Sequence, residues 1–244
     1  MSTSLTFLTA IHSRRRAINP KLITSYVIRE TLGIVVTGVA LFWSAGRLDW
    51  WAAWAVIIVT AAWILATAIV IIRFNPGLLA ERLGPRMGAK SWDTVIVSIL
   101  GITQLIRYIV AGLDQRYGWT GGFTLAAQII GLIVCILGYA LFVWATYSNA
   151  FFSQVVRIQS EHGHTVATGG PYHYVRHPAY IGAILFELAV SILLASWWAF
   201  IFSVMGAILL ILRTFLEDRT LQVELPGYKE YSHQVPNRLL PGVW

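Results

Sequence analysis

The densest chemistry in this sequence lies between Asn149 and Gly182. His162 and His164 stand two residues apart, and His173 and His177 four apart. That crowding raises the question of a metal. No carboxylate stands at ligand spacing between them, and Pro178 disfavours helix for the residue before it, so His173 and His177 are not expected to share a helical face. No metal is expected. A different chemistry suits these residue types better. Gly169-Gly170-Pro171 lets the backbone turn sharply and come close to a ligand. Arg176 and His177 precede Pro178, a favoured first residue of a helix, which sets both at a helix N-terminus where the dipole favours an anion. Either they hold the carboxylate or phosphate of a small polar ligand, or they anchor the helix among lipid headgroups. Spacing leaves both open.

The C-terminal stretch adds Arg213-Thr-Phe-Leu-Glu217-Asp218-Arg219 and Pro226-Gly-Tyr228-Lys-Glu-Tyr231. Glu217 follows Arg213 by four residues, so the two share a helical face. They would grip an ammonium and a carboxylate, or pair with each other on a solvated helix. Glu187 lies within an apolar run, where a carboxylate is costly and therefore a functional candidate; a bond to Gln104 or Gln128 is the structural alternative. Arg107 is expected to snorkel from the outer end of its span.

The elements that position these groups are membrane helices. Of 244 residues 57% are hydrophobic and 12% charged, about half the charge of a soluble protein, and mean hydropathy is +0.67. Apolar runs long enough for a bilayer core of about 20 residues occupy about 31–46, 51–72, 94–113 and 123–147. A longer block covers about 179–212, broken at Ser196-Trp197-Trp198, where a tight turn would join two short helices as a hairpin. The fold class is thus all-α integral membrane, with five to six transmembrane helices and a cytoplasmic C-terminal helical segment. Residues 1–148 would hold about four spans, and residues 149–244 the site.

Net charge is +7 and the isoelectric point about 9.8. The basic residues cluster at the ends of spans, which speaks for orientation and anionic lipid and against a nucleic-acid partner. With Arg14, Arg15, Arg16 and Lys21 inside, all of the 18 basic residues except Arg47, Arg107 and Arg116 fall on the inner side. That bias puts the N-terminus and the long, polar connections in the cytoplasm. Cys135 is a lone cysteine in an apolar run, which excludes a disulfide framework. The first apolar stretch lacks a cleavage site and reads as a retained helix. No internal repeat supports an inverted-repeat transporter.

Gly170-Pro-Tyr-x-Tyr-Val-Arg-His-Pro-Ala-Tyr-Ile-Gly182, followed by Arg213-x-x-x-Glu-Asp218 and Gly227-Tyr-x-x-Tyr231, resembles the isoprenylcysteine carboxyl methyltransferase and phospholipid methyltransferase family. The likeness runs from about Asn149 to the C-terminus. Upstream, Asn75-Pro-x-Leu-Leu-x-Glu-Arg82, Lys90-x-Trp-Asp93 and Gly112-Leu-Asp-x-Arg-Tyr-Gly-Trp119 are similar to bacterial members, which implies a bacterial inner membrane. The resemblance implies S-adenosyl-L-methionine as methyl donor and a lipophilic or small amphiphilic acceptor reached from the bilayer. By position, His164, Gly170, Pro171, Tyr172, Arg176, His177 and Tyr180 would line the cofactor pocket. Glu217, Tyr228 and Tyr231 would close it, with Arg213 and Glu217 at the reacting end.

Methyl transfer from a sulfonium is an in-line displacement in which charge is neutralised, so alignment and exclusion of water supply much of the rate. Two positions depart from the family. Asp218 is one methylene shorter than the usual Glu. The fourth span carries no arginine where the enzymes of prenylcysteine carboxylates have one, and Tyr139 stands near that place. A membrane NADPH-dependent sterol-type reductase, with its related Arg-His-x-x-Tyr element, and a non-enzymatic transporter using Glu187 and Arg107 are the competing readings. Pro178 and the acidic pair Glu217/Asp218 favour the methyltransferase.

Overall fold

In a bilayer every backbone amide must be satisfied within its own segment, so runs rich in Val and Ile that would suit strands in water become helices. The computed structural model describes residues 20–83 and 88–244; the basic arm at Arg14, Arg15 and Arg16, together with Arg86, lies outside them. The described chain is helical: α1 (Pro20–Ala45), α2 (Trp51–Phe74), the short α3 (Gly77–Leu83), α4 (Ser91–Tyr117), α5 (Leu125–Ser148), α6 (Pro178–Leu193), α7 (Trp197–Glu224) and the short α8 (Tyr228–Gln234). Five of these are long and apolar enough to cross a membrane, namely α1, α2, α4, α5 and α7. With α6 they make an all-α integral membrane bundle.

The apolar block does fold as a hairpin, although its two arms are unequal. Ser196 caps α7 by accepting from the Ala199 amide at 3.0 Å, and Ala195 adopts φ 58° to make the turn. The same serine donates to Asp114 at the end of α4, which also holds Thr120 through its amide and hydroxyl. This polar staple fixes the end of the bundle opposite the site. α6 has 16 residues, or about 24 Å at 1.5 Å per residue. α7 has 28 and continues past the expected boundary near 212 into the polar stretch that carries Arg213, Glu217 and Asp218.

Helix packing depends on missing side chains. A Cβ on Gly182 would stand 2.3 Å from the Gly138 carbonyl oxygen, and one on Gly138 would stand 2.6 Å from that of Gly182. α5 and α6 therefore touch backbone to backbone, the close approach that small residues permit in membranes. Because backbone cannot yield as a flexible side chain can, Gly182→Val is expected to lower the unfolding temperature in detergent by several degrees, corresponding to an overpacking cost of about 1–3 kcal/mol. Gly101→Ala, with nothing within 4 Å of its Cβ position, should leave it unchanged.

Two in-membrane residues differ from expectation. Arg107 does not snorkel. It is fully buried and paired with Glu187, whose side chain is 14% exposed, while its ring neighbour Tyr108 lies 5.0 Å from the guanidinium carbon. Neither glutamine is the partner of Glu187. Gln128 donates to the Leu193 carbonyl and Gln104 to the Tyr108 hydroxyl. α4 runs on to Tyr117, which leaves Arg107 about 15 Å from the helix end, too deep for its side chain to reach water.

Candidate active site

One end of the bundle gathers the polar residues. The chain leaves α5 at Asn149, makes two 3-10 turns (Ser160–His162 and Gly170–His173), and enters α6 at Pro178. Gly170, at φ 59°, sits so close to α5 that a Cβ would meet the Ser148 hydroxyl at 2.3 Å. Only glycine fits there, and the requirement fixes where the following residues emerge. Gly169 beside it faces open space.

Asp218 is the hub of this end. It is fully buried on α7 and accepts the side-on fork of Arg176, Nε at 2.8 Å and Nη2 at 3.1 Å. Arg238 Nε, Tyr228 Oη and Gln222 Nε2 also donate to it, at 2.8, 3.0 and 2.8 Å. His177 Nε2 lies at 3.2 Å. Arg176 Nη1 then donates to the carbonyls of Val235 and Pro236, both at 2.7 Å. The amides of Arg176 and His177 reach the Asn237 and Arg238 carbonyls at 3.0 Å. Charge and backbone together fasten the segment after α8 onto the entrance to α6. Arg176 and His177 are each 5% exposed, so their polar groups serve this joint.

A second group faces the space beside the hub. Tyr180 Oη donates to Glu217 Oε2 at 2.5 Å, and both residues are half-buried. The Arg213 guanidinium stacks over the Tyr180 ring at 5.6 Å. Arg213 does not pair with Glu217, as the i, i+4 spacing allows; its fork takes Asp93 on α4, Nε at 2.6 Å and Nη2 at 3.2 Å, and it donates to the Gln154 carbonyl at 2.8 Å. Asp93 also receives the Val156 amide at 2.8 Å. Glu217 is thereby left with no salt-bridge partner among the described residues.

The surroundings are tuned by burial. Tyr231 donates to the Tyr172 carbonyl at 2.6 Å, which ties α8 to the Gly170 turn. Desolvation, and then the Asp218 charge beside it, push the Tyr228 phenol far above its ordinary range, so it stays a neutral donor. Burial raises Tyr172 and Tyr231 likewise. His164 stacks on Phe151 at 4.6 Å and accepts the Gln159 amide at Nδ1; burial, and then the Arg157 charge, lower its pKa. Arg157 holds Glu81 of α3 through both oxygens, at 2.7 and 2.6 Å, and keeps that carboxyl below its usual range. Among the described residues no three His, Cys, Asp or Glu side chains gather as a metal set.

The structure brings most of the candidate residues together, several of them on partners that the sequence did not indicate. Arg176, His177, Tyr228, Tyr231 and Tyr172 meet in one buried assembly, while Tyr180, Arg213 and Glu217 form its neighbour. His164 stands apart against Phe151. Asp93 and Arg238 were not singled out as site residues. Asp93 had a signal, a carboxylate at the lip of an apolar run; Arg238 had none.

The model of the isoprenylcysteine carboxyl methyltransferase family matches residues 129–223, which contain Gly170 to Gly182, Arg213 and Glu217. A probable protein-S-isoprenylcysteine O-methyltransferase of Oryza sativa subsp. indica is 23% identical over 142 residues, covering 55% of this chain and 71% of the rice protein. The protein-S-isoprenylcysteine O-methyltransferase of Homo sapiens is 27% identical over 121 residues, 46% of this chain and 40% of the human protein. That of Tribolium castaneum is 35% identical over 68 residues, only 24% of its own length. Among solved structures, the eukaryotic intramembrane Ras methyltransferase ICMT aligns over 99% of this chain and 94% of its own, at 16% identity and a TM-score of 0.47.

Proposed function

We propose that this chain, whose residues 129–223 match the model of the isoprenylcysteine carboxyl methyltransferase family, is a membrane methyltransferase of that family using S-adenosyl-L-methionine and a lipophilic or small amphiphilic acceptor. The observation that carries the reading is Glu217. Asp93 and Asp218 are each spoken for by arginines. Glu217, half-buried among them, accepts from Tyr180 alone among the described residues and so offers a carboxylate to a cationic ligand. S-adenosyl-L-methionine has two cationic centres, an ammonium and a sulfonium, and supplies an electrophilic methyl group.

The residues present fit that donor. Glu217 would hold the ammonium, with the Tyr180 hydroxyl fixing the carboxylate rotamer. The Gly170–Tyr172 turn, open at Gly169, would receive the rest of the ligand, while His164, stacked on Phe151, stays outside it. Tyr228 and Tyr231 close the site through the tail, and Arg176 and His177 act by holding that tail. Arg213, locked by Asp93 and stacked on Tyr180, would lie beside the acceptor. Closure by the tail excludes water, which strengthens every charge contact inside. Arg213 and Glu217 thus form the reacting end of a core, residues 149–244, appended to the earlier spans. The charge bias along the chain supports a cytoplasmic site, and the likeness of the upstream motifs to bacterial members supports a bacterial inner membrane.

Equilibrium binding of labelled S-adenosyl-L-methionine to the purified protein tests this. The wild type should bind it, and Glu217→Ala should bind ten- to a hundredfold more weakly, the loss of one charge-assisted hydrogen bond worth about 1.5–3 kcal/mol. Binding of NADPH with none of S-adenosyl-L-methionine would overturn the assignment.

A further inference from the structure

The motif Asn75-Pro-x-Leu-Leu-x-Glu-Arg82 lies outside the residues assigned above to methyl transfer. Its leucines, Leu78 and Leu79, are buried against Tyr26 and Ile71, and Glu81 takes Arg157. Arg82 is different. It is 8% exposed, and its Nε and Nη2 have no hydrogen-bond partner among the described residues; Asn75 Nδ2, in the same motif, has none either.

That edge of a guanidinium has a consistent use in this protein. In Arg157, Arg176 and Arg213, Nε and Nη2 together grip the two oxygens of a carboxylate. In Arg82 the same fork is buried and open. The groups facing it are Tyr26, Glu30 and Arg29 of α1 and the Phe152 ring, 5.8 Å from its guanidinium carbon. Glu30 is already taken by Arg29 at 2.5 Å, and Arg29 also donates to the Arg82 carbonyl at 2.6 Å. Tyr26 bonds the Arg82 side chain but brings no negative charge, so among the described residues one positive charge is left over, and a buried charge without a counter-ion costs several kcal/mol.

The location says what brings the counter-charge. α3 follows directly on the end of α2, where the chain leaves the apolar layer. Val27, Ile28 and Phe74 nearby are 54%, 62% and 52% exposed, as residues facing acyl chains are. The geometry points to a lipid-headgroup site in which the Arg82 fork, assisted by Asn75, holds the phosphate of an anionic phospholipid on the site's side of the bilayer. Planar, bidentate arginine suits two phosphate oxygens as it suits a carboxylate. This inference does not depend on the methyl-transfer reading.

The test uses the full chain in nanodiscs of phosphatidylcholine with increasing phosphatidylglycerol, and native mass spectrometry of retained lipid. Phosphatidylglycerol should raise the wild-type unfolding temperature and be retained several-fold over phosphatidylcholine. Arg82→Gln should abolish both effects, while inorganic phosphate should reproduce neither. Equal retention of the two lipids by the wild type would overturn the proposal, and this measurement stands even if the variant does not fold. An undiminished preference in Arg82→Gln, or an equal response to free phosphate, would overturn it as well.

Discussion

Asp218→Asn is expected to destabilise the protein by about 3–5 kcal/mol and to abolish methyl transfer. The substitution keeps the side chain's shape but removes the anion to which Arg176 and Arg238 both donate. Removing one partner of a buried pair leaves charge uncompensated, which is where costs of that size arise. The loss should appear as a large fall in unfolding temperature and as proteolysis within residues 225–244, since the tail is held by Arg176 through Val235 and Pro236. Asp218→Glu retains the charge and should recover part of both. Equal behaviour of the Asn and Glu variants would mean that Asp218 acts by packing and not by charge.

The second large effect concerns the pair inside the bundle. Arg107→Met or Glu187→Met alone should each lower stability by about 3–5 kcal/mol, because the remaining ion is stranded among apolar side chains. The double variant should be more stable than either single one, since two apolar groups replace a pair whose desolvation offsets much of its attraction. Thermal unfolding of the three proteins forms a double-mutant cycle. Additive losses in the double variant would show that the two residues are not coupled.

The spans and the hairpin were legible because a bilayer imposes a length and an apolar composition that sequence displays directly. The residues that gather at the candidate site were legible through motif spacing, as with Gly170 to Gly182. Their partners were not. The i, i+4 spacing of Arg213 and Glu217 satisfies the helical rule, yet Asp93, 120 residues away, supplies two oxygens to the same guanidinium. A buried bidentate partner outweighs a half-exposed neighbour on one helix, worth only a few tenths of a kcal/mol. Arg107 was misplaced for a related reason: the apolar run ends near residue 113, but the helix continues to Tyr117, so hydropathy underestimated its depth. Asp218, whose shorter side chain departs from the family pattern, became the hub because three elements converge on it, which no local pattern records.

The inequality of the hairpin arms bears on the membrane itself. A helix of 16 residues falls about 6 Å short of a 30 Å hydrocarbon layer. Lipid beside α6 must thin locally or let its headgroups sink, a hydrophobic mismatch that costs fractions of a kcal/mol per Å. At the end where Pro178 and Tyr180 begin the helix, such a dip would bring the aqueous phase down to the candidate site. On the proposed function, a water-soluble donor and a bilayer-dissolved acceptor would meet in that depression without either one leaving its own phase.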